Sequence, residues 1–198
     1  MRRFDLAIAQ PALTVDSYYS HFPLLRSRSF ELRFVDMVEV MAPCLNVETV
    51  ARMLPLFAAS MGGFGLDLIW TRLAADNHAR SAVLDALPVR QTRPVGTNML
   101  VETMSNAGRT QRGELLALQQ FHGPGLGTFY PFCYEAIDVA GRRWRSPAAI
   151  GVRMAVDYLS NRASFRQTHQ FARKLWRLVR RQSLRTAQLS PLTIANQG

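Results

Sequence analysis

Two acidic side chains lie in sequence contexts where a carboxylate can do chemistry. Asp67 follows a glycine-rich turn containing Gly63 and Gly65, and an apolar run that predicts a helix comes directly after it. Glycines let a backbone approach a ligand closely, and a carboxylate held at the start of a helix can act as a general base. Capping of the helix is the simpler role for Asp67. Glu39 lies in an apolar run, where a lone carboxylate is costly unless it is paired or lines a cavity.

Three more polar residues accompany the predicted strands. Gln10 ends the first apolar run, and ligands of open α/β sheets collect at the C-terminal ends of strands, so its side chain is expected to face a ligand crevice. His21 lies in the loop that follows, either as a substrate contact or simply in solvent. Arg93 follows a later strand and carries a permanent, planar charge suited to an anionic group or to an ion pair with Glu39. Arg33 is the alternative partner of Glu39.

The elements that position these residues follow an α/β order. Apolar runs predict strands at 4–9, 31–41 and 81–86, of which the first and last are each closed by a proline, and residues 11–30 read as a loop. Asn46 is a suitable N-cap for a helix over 47–60, which Gly62-Gly63 terminates. A second helix is predicted over 66–75. The order strand, loop, strand, helix, helix, strand is typical of α/β proteins.

The second half of the chain gives weaker signals. A helix is predicted over 109–121, and the stretch 123–127 is a glycine-rich link, so we expect a boundary between regions 1–122 and 123–198. Residues 134–144 predict a hairpin that turns at Ala140-Gly141. Ser146-Pro147 is a good helix start, and helices are expected over 147–160 and 164–184.

Four short segments recur in one order within residues 7–96. They are Ala9-Gln10-Pro11-Ala12-Leu13, Val38-Glu39-Val40-Met41-Ala42-Pro43, Gly63-Phe64-Gly65-Leu66-Asp67 and Thr92-Arg93-Pro94-Val95-Gly96. Each is weak alone. In this order and at this spacing they resemble a plant and bacterial family known as domain of unknown function seven hundred and seven, which looks like glycosyltransferases of the GT-A type. The resemblance covers about the first half of the chain.

The resemblance implies a partial GT-A-like three-layer sandwich, namely the acceptor-side half with a mixed sheet and flanking helices, followed by a mainly helical C-terminal extension. It implies a nucleotide-sugar donor and a glycan acceptor. Asp67 would be the general base, and Glu39 would be a second catalytic carboxylate that binds hydroxyl groups. Gln10, His21, Gly65 and Arg93 would bind substrate, with Arg93 at the donor diphosphate.

Metal binding is where the chain departs from the family pattern. Such enzymes commonly hold manganese or magnesium through an Asp-x-Asp motif, but this chain has none, and Asp5 is the sole acid among the nine residues before Gln10. Gln91 stands where the family has histidine. We therefore expect no catalytic metal ligands, and a chain that is incomplete or inactive alone, completed by a missing N-terminal half or by a second copy.

The formal charge of +10 is concentrated in the second half of the chain. Residues 162–185 form a basic amphipathic pattern with Trp176 at its boundary, which indicates either contact with a membrane surface or an ordinary solvated helix. No recognised module accompanies it, so nucleic-acid binding is not expected. Cys44 and Cys133 are expected to be free thiols, because a disulfide-rich secreted protein carries more cysteines at closer spacings.

The predicted function is transfer of a sugar from a nucleotide-sugar donor to an unidentified acceptor. The alternatives are a carbohydrate-binding or interaction protein that has lost catalysis, and a basic peripheral membrane protein. No apolar stretch is long enough for a membrane span, and the start of the chain is a poor signal peptide. The predicted location is therefore the cytoplasm, with peripheral contact at the inner membrane as a variant.

Overall fold

The computed structural model describes residues 1–70, 80–94, 98–122 and 130–185. The strands in these ranges are β1 (Leu6–Leu13), β2 (Phe30–Val35), β3 (Cys44–Leu45), β4 (Arg80–Val89), β5 (Cys133–Asp138) and β6 (Arg143–Trp144). The helices are α1 (Val47–Ala59), α2 (66–70), α3 (Asn98–Asn106), α4 (Gln111–His122), α5 (Pro147–Ser160) and α6 (Phe171–Arg185). Short 3-10 helices occupy Arg2–Phe4, Phe22–Leu24 and Arg162–Ser164.

The strands form one mixed six-stranded sheet in the order β3-β1-β4-β2-β5-β6, so the predicted α/β class is confirmed. β1 pairs with β3 in antiparallel register, with Ile8 opposite Leu45 and Ala9 opposite Cys44. β2 and β5 are also antiparallel, as are β5 and β6. None of the helices in the described ranges is both long and apolar enough to cross a membrane.

The chain divides into two compact units. Unit 1 comprises Met1–Gln10, Met37–Ala82 and Arg93–Tyr130, and unit 2 comprises Pro11–Asp36, Val83–Thr92 and Pro131–Gly198. Strands β1 and β4 therefore contribute residues to both units. The predicted boundary at 123–127 falls outside the described residues, as do positions 71–75 of the second predicted helix.

Local signals were accurate where a capping or turn residue was present. Asn46 accepts a hydrogen bond from the Thr49 amide at 2.8 Å and starts α1 at Val47, as predicted. Ser146 caps α5 in the same way through the Ala149 amide, with Pro147 in the first turn. The hairpin between β5 and β6 turns where glycine allows it, with Gly141 at φ 80°.

Asp138 fixes that hairpin. Its carboxylate accepts hydrogen bonds from the Ala140 and Arg142 amides, the Arg142 Nε and the Trp144 indole, all at 2.9 to 3.0 Å. The Trp144 indole and these other donors lower the pKa of Asp138 to about 2.

Strand ends were predicted less well. The predicted strand 4–9 continues through Pro11 to Leu13, so residues 11–13 are not loop. The pairing with β3 ends at Ala9, and a proline beyond that point loses no hydrogen bond on the β3 side. The strand at 81–86 likewise continues through Pro88 to Val89.

Two further expectations were wrong. The strand expected over 31–41 ends at Val35, where the pairing with β5 shifts register after Phe34. The last helix starts at Phe171 and not at residue 164, because residues 162–164 form a separate 3-10 turn.

Unit 2 holds a fully buried ion pair. The Arg33 Nε donates to Asp85 Oδ2 at 2.7 Å, and Nη2 donates to Asp85 Oδ1 at 2.9 Å. Nη1 also donates to the Pro23 carbonyl, and Nη2 to the Leu25 carbonyl. Burial lowers the pKa of Arg33, but the Asp85 carboxylate outweighs burial and raises it above its usual range. Arg33, one of the two partners considered for Glu39, is thus committed to Asp85.

Candidate functional site

The first and second motif segments meet in unit 1. Gln10 is buried on β1, and its side-chain Oε1 accepts a hydrogen bond from the backbone amide of Glu39 at 2.6 Å. Gln10 therefore positions the segment that carries Glu39. Since Oε1 is engaged in this way, a substrate contact from Gln10 would use its Nε2 donors.

The second motif segment is contacted by Trp70, which lies three positions after the third segment, and by the third segment itself. The Trp70 indole is fully buried and donates to the Val38 carbonyl at 2.8 Å. Side chains of Gln10 and Trp70 thus satisfy backbone groups of 38–39 after the chain has left the sheet at Val35, which explains why the segment stays ordered without strand pairing. A Cβ added at Gly63 would lie 2.8 Å from Val40 Cγ2, so the glycine turn packs directly against this segment.

The glycine turn needs its glycines. Gly63 has φ 76° and Gly65 has φ 89°, a region that other L-residues rarely adopt. A Cβ at Gly65 would lie 2.9 Å from Leu115 Cδ1 on α4. The positive φ values favour glycine at both positions, and at Gly65 the Leu115 side chain already fills the space that a Cβ would take.

Glu114 braces this turn from α4. Its buried carboxylate accepts hydrogen bonds from the Met61 amide at 2.6 Å, the Gly62 amide at 3.0 Å and the Ser60 hydroxyl at 3.0 Å. The Ser60 oxygen in turn accepts from the Gly63 amide at 3.0 Å. The amides that follow α1 are thereby satisfied by a side chain about fifty positions away.

Asp67 lies in the first turn of α2. Its Oδ1 accepts from the Leu68 amide at 3.1 Å, and the Asp67 residue is half-buried. Burial raises the pKa of Asp67 to about 6, and backbone hydrogen bonds oppose the shift. A carboxylate with this pKa is ionised at neutral pH and basic enough to take a proton, which is the property a general base needs. Asp67 and Trp70 are three positions apart and so share one side of α2.

Glu39 itself is buried in unit 1 between two positions with defined contacts, Val38 and Val40. Three of the four motif segments are thus joined by direct contacts that sequence reasoning could not supply. Arg93, from the fourth segment, is exposed in the stretch after β4 and belongs to the same unit.

His21 belongs to unit 2. It is the N-cap residue of the 3-10 helix Phe22–Leu24, and burial lowers its pKa to about 4, so its imidazole is neutral at physiological pH. The two tyrosines of its loop pack within unit 2. The Arg166 guanidinium lies 4.5 Å from the Tyr18 ring centroid, and the Lys174 amine donates to the Tyr19 hydroxyl at 2.9 Å. Contacts within unit 2 therefore account for both tyrosines.

Gln91 is held through its backbone. Its amide donates to the Ser17 hydroxyl at 3.0 Å, and its carbonyl accepts from the Tyr18 amide at 3.1 Å. Within the part of the chain that the structure describes, no group of three or more His, Cys, Asp or Glu side chains is placed to hold a metal ion. The His, Cys, Asp and Glu side chains that the structure describes therefore do not fit the divalent metal that the GT-A type implies. Both cysteines are free, Cys44 exposed and Cys133 buried.

A separate open cavity of about 250 Å³ lies in unit 2 and is lined by Arg142, Arg143, Trp144, Arg145 and Ser146. Two of its arginines are already paired, Arg142 with Asp138 at 2.9 Å and Arg143 with Glu135 at 3.0 Å. None of the predicted site residues lines it.

Two residues of the unit 1 arrangement were missed from sequence. Trp70 had a usable signal, because it is the third residue after Asp67 on a helix with Leu66 and Ile69 on its buried side. Glu114 had no usable signal, because a glutamate on a predicted helix is expected to be solvated until its long-range partners are known.

Comparison with family models, with curated proteins and with solved structures found no match to this chain.

Proposed function

We propose that this chain is the acceptor-side part of a GT-A-like glycosyltransferase, with its sugar crevice in unit 1. The observation that carries the proposal is that three of the four motif segments are in contact, through the hydrogen bond from the Glu39 amide to Gln10 and the packing of Gly63 on Val40. Trp70, three positions after the third segment, adds a hydrogen bond to Val38. Motifs that are separate in sequence and in contact in the fold indicate one shared site.

The proposed chemistry uses Asp67 as the base. The acceptor hydroxyl gives its proton to the Asp67 carboxylate, and the hydroxyl oxygen forms a bond to the anomeric carbon of the donor sugar. The bond from that carbon to the nucleoside diphosphate breaks, and the diphosphate leaves with the electron pair. The pKa of about 6 supports this role, because the carboxylate is ionised before the reaction and is a stronger base than an exposed aspartate.

The other residues bind and position. Glu39 accepts hydrogen bonds from sugar or acceptor hydroxyls, and Gln10 holds the Glu39 backbone in place. Gly65 is proposed to contact the substrate through its backbone, on the side away from the Leu115 side chain that fills the position of a Cβ. Arg93 binds the diphosphate as a permanent cation. His21, which has a neutral imidazole, belongs to unit 2 and is not assigned to this crevice. The GT-A-like fold and the reading of the C-terminal helices as an extension belong to the same proposal.

The experiment is a transfer assay on the full chain. The protein is incubated with uridine-, guanosine- and thymidine-diphosphate sugars and a mixture of glycan acceptors, and products are detected by mass spectrometry. Transfer that is lost in Asp67→Asn and retained in Asp5→Asn, an exposed aspartate of the same unit, supports the proposal. Full transfer by Asp67→Asn would remove Asp67 from the base role. Glycan binding without transfer in the wild type would favour the non-catalytic alternative.

A further inference from the structure

Helices α5 and α6 of unit 2 form a layer with one covered and one outward side. The covered side of α5 includes Ile150, Met154 and Tyr158, and that of α6 includes Phe171, Leu178 and Gln182. The two helices pack on each other, since a Cβ at Gly151 would lie 2.7 Å from Gln182 Cβ. The Gln182 amide also pairs with both backbone groups of Cys133 on β5. α5 packs on β5 and β6, and α6 packs on α5 and on the 3-10 helix Phe22–Leu24, so the sides opposite these contacts face outward.

Four large apolar side chains lie on this outward side. Val152, Val156 and Leu159 recur at helical spacing on α5 with 52%, 46% and 53% of their surface exposed, and Trp176 on α6 is 59% exposed. A fifth exposed apolar side chain, Leu184, lies near the end of α6. Single exposed apolar residues are ordinary, but several on one pair of packed helices form a patch. We call Val152, Val156, Leu159 and Trp176 the outward patch. Other apolar residues of this region lie further inward, since Phe165 is buried and Leu175 and Val179 are half-buried.

The charge around the outward patch has one sign. Residues 147–185 carry nine basic residues and a single acidic one, Asp157. Asp157 is buried and its carboxylate accepts hydrogen bonds from the Ser29 amide at 2.9 Å and the Ser29 hydroxyl at 2.7 Å, as well as from the Ser27 hydroxyl. The Arg180 guanidinium lies 4.9 Å from the Trp176 ring centroid, and Arg173 and Arg177 are exposed on the same helix.

We propose that the outward patch and its arginines dock on an anionic lipid surface. Tryptophan prefers the boundary between headgroups and acyl chains, aliphatic side chains gain from shallow burial there, and arginines bind anionic headgroups. A second copy of the chain is a poor occupant, since two strongly basic faces repel. A nucleic acid would satisfy the arginines but would leave the three aliphatic side chains of α5 without a role.

The test is co-sedimentation of the full chain with vesicles of phosphatidylcholine alone and of phosphatidylcholine mixed with phosphatidylserine. We expect binding only to the mixed vesicles, weakened by salt. Replacing Arg173, Arg177 and Arg180 by Gln should weaken it about a hundredfold, at roughly fivefold for each arginine. The matched control replaces Arg2, Arg3 and Arg112, exposed arginines of unit 1, and changes the net charge equally.

A second readout isolates the apolar contact. Brominated acyl chains should quench the fluorescence of the wild type, and Trp176→Phe should lose that quenching, because Trp70 is fully buried and Trp144 is half-buried. All substituted residues are exposed, so circular dichroism should be unchanged. Absence of binding to the mixed vesicles, or equal weakening by the two triple substitutions, would overturn the proposal. Tighter binding of the chain to an RNA or DNA duplex than to the mixed vesicles would overturn it as well.

Discussion

The half-buried carboxylate of Asp67 should make stability depend on pH in a way that one substitution removes. Burial raises the pKa of Asp67 from 3.8 to about 6 in the folded protein. Below pH 3.8 the group is protonated in both the folded and the unfolded chain. Between the two values the unfolded chain loses the proton first, so the folded chain binds more protons and its stability falls as pH rises. Above the folded pKa the loss is complete.

A shift of about two units corresponds to at most about 3 kcal/mol, and partial solvent access reduces this to about 1 to 2 kcal/mol. Asp67→Asn has no titrating group and nearly the same shape. We therefore expect Asp67→Asn to match the wild type in free energy of unfolding near pH 3.5 and to exceed it by about 1 to 2 kcal/mol at pH 7.5. A carboxylate that is kept partly buried for function lowers the stability of the folded protein, so replacing it with a neutral side chain raises that stability.

The assay is urea unfolding followed by circular dichroism at several pH values, with the difference between variant and wild type plotted against pH. Other titrating groups cancel in that difference. Asp5→Asn, at an exposed aspartate, serves as the control and should give a flat difference. A flat difference for Asp67→Asn, or a variant less stable than the wild type at pH 7.5, would contradict the reasoning about Asp67.

Three further predictions concern the framework of the two units. Gly63→Ala should lower the free energy of unfolding by about 3 kcal/mol, because of the positive φ and the clash with Val40. Gly108→Ala, at φ 67° in open space, should lower it by only about 1 kcal/mol. Similar losses for the two variants in urea titrations would refute the packing argument. Asp85→Ala should lower the free energy of unfolding by about 3 to 5 kcal/mol, because it leaves Arg33 buried and unpaired. Adding Arg33→Met should recover part of that loss. If thermal unfolding shows no recovery, the loss of the ion pair is not the cause. Asn46→Ala should cost about 1 kcal/mol through loss of the α1 cap, while Asn46→Asp should be nearly neutral; equal losses would rule out capping.

Sequence signals of short range were sufficient for part of the fold. Asn46 and Ser146 each cap a helix through an amide three positions on, and Gly141 allows the turn between β5 and β6, so the ends of these elements are set by neighbouring residues. The proline rule failed at Pro11 and Pro88, because β1 and β4 each continue past their proline to Leu13 and Val89. The early end of β2 depends on a register shift with β5, about a hundred positions away.

The candidate site likewise has features that local sequence signals predict and features that only long-range contacts create. The motif order indicated Gln10, Glu39, Gly65 and Asp67, and the identity of the glycines followed from local turn geometry. The bond from the Glu39 amide to Gln10, the indole of Trp70 on Val38 and the brace from Glu114 all join residues that are 29 or more positions apart. Such contacts arise from tertiary packing, which no single segment encodes. The Arg33–Asp85 pair was missed for the same reason, since either Glu39 or Asp85 was chemically acceptable as a partner.

The central claim is that the motif segments of unit 1 form a carbohydrate crevice, and a backbone amide NMR titration of the ¹⁵N-labelled chain tests it most directly. Nucleotide sugars and glycans are added in turn, and Glu39→Gln is titrated in parallel. The account predicts shift changes at the amides of Gln10, Glu39, Gly63 and Gly65 for at least one sugar, weakened in Glu39→Gln. Sugars that leave these amides unmoved, or that move only amides of unit 2, would contradict it.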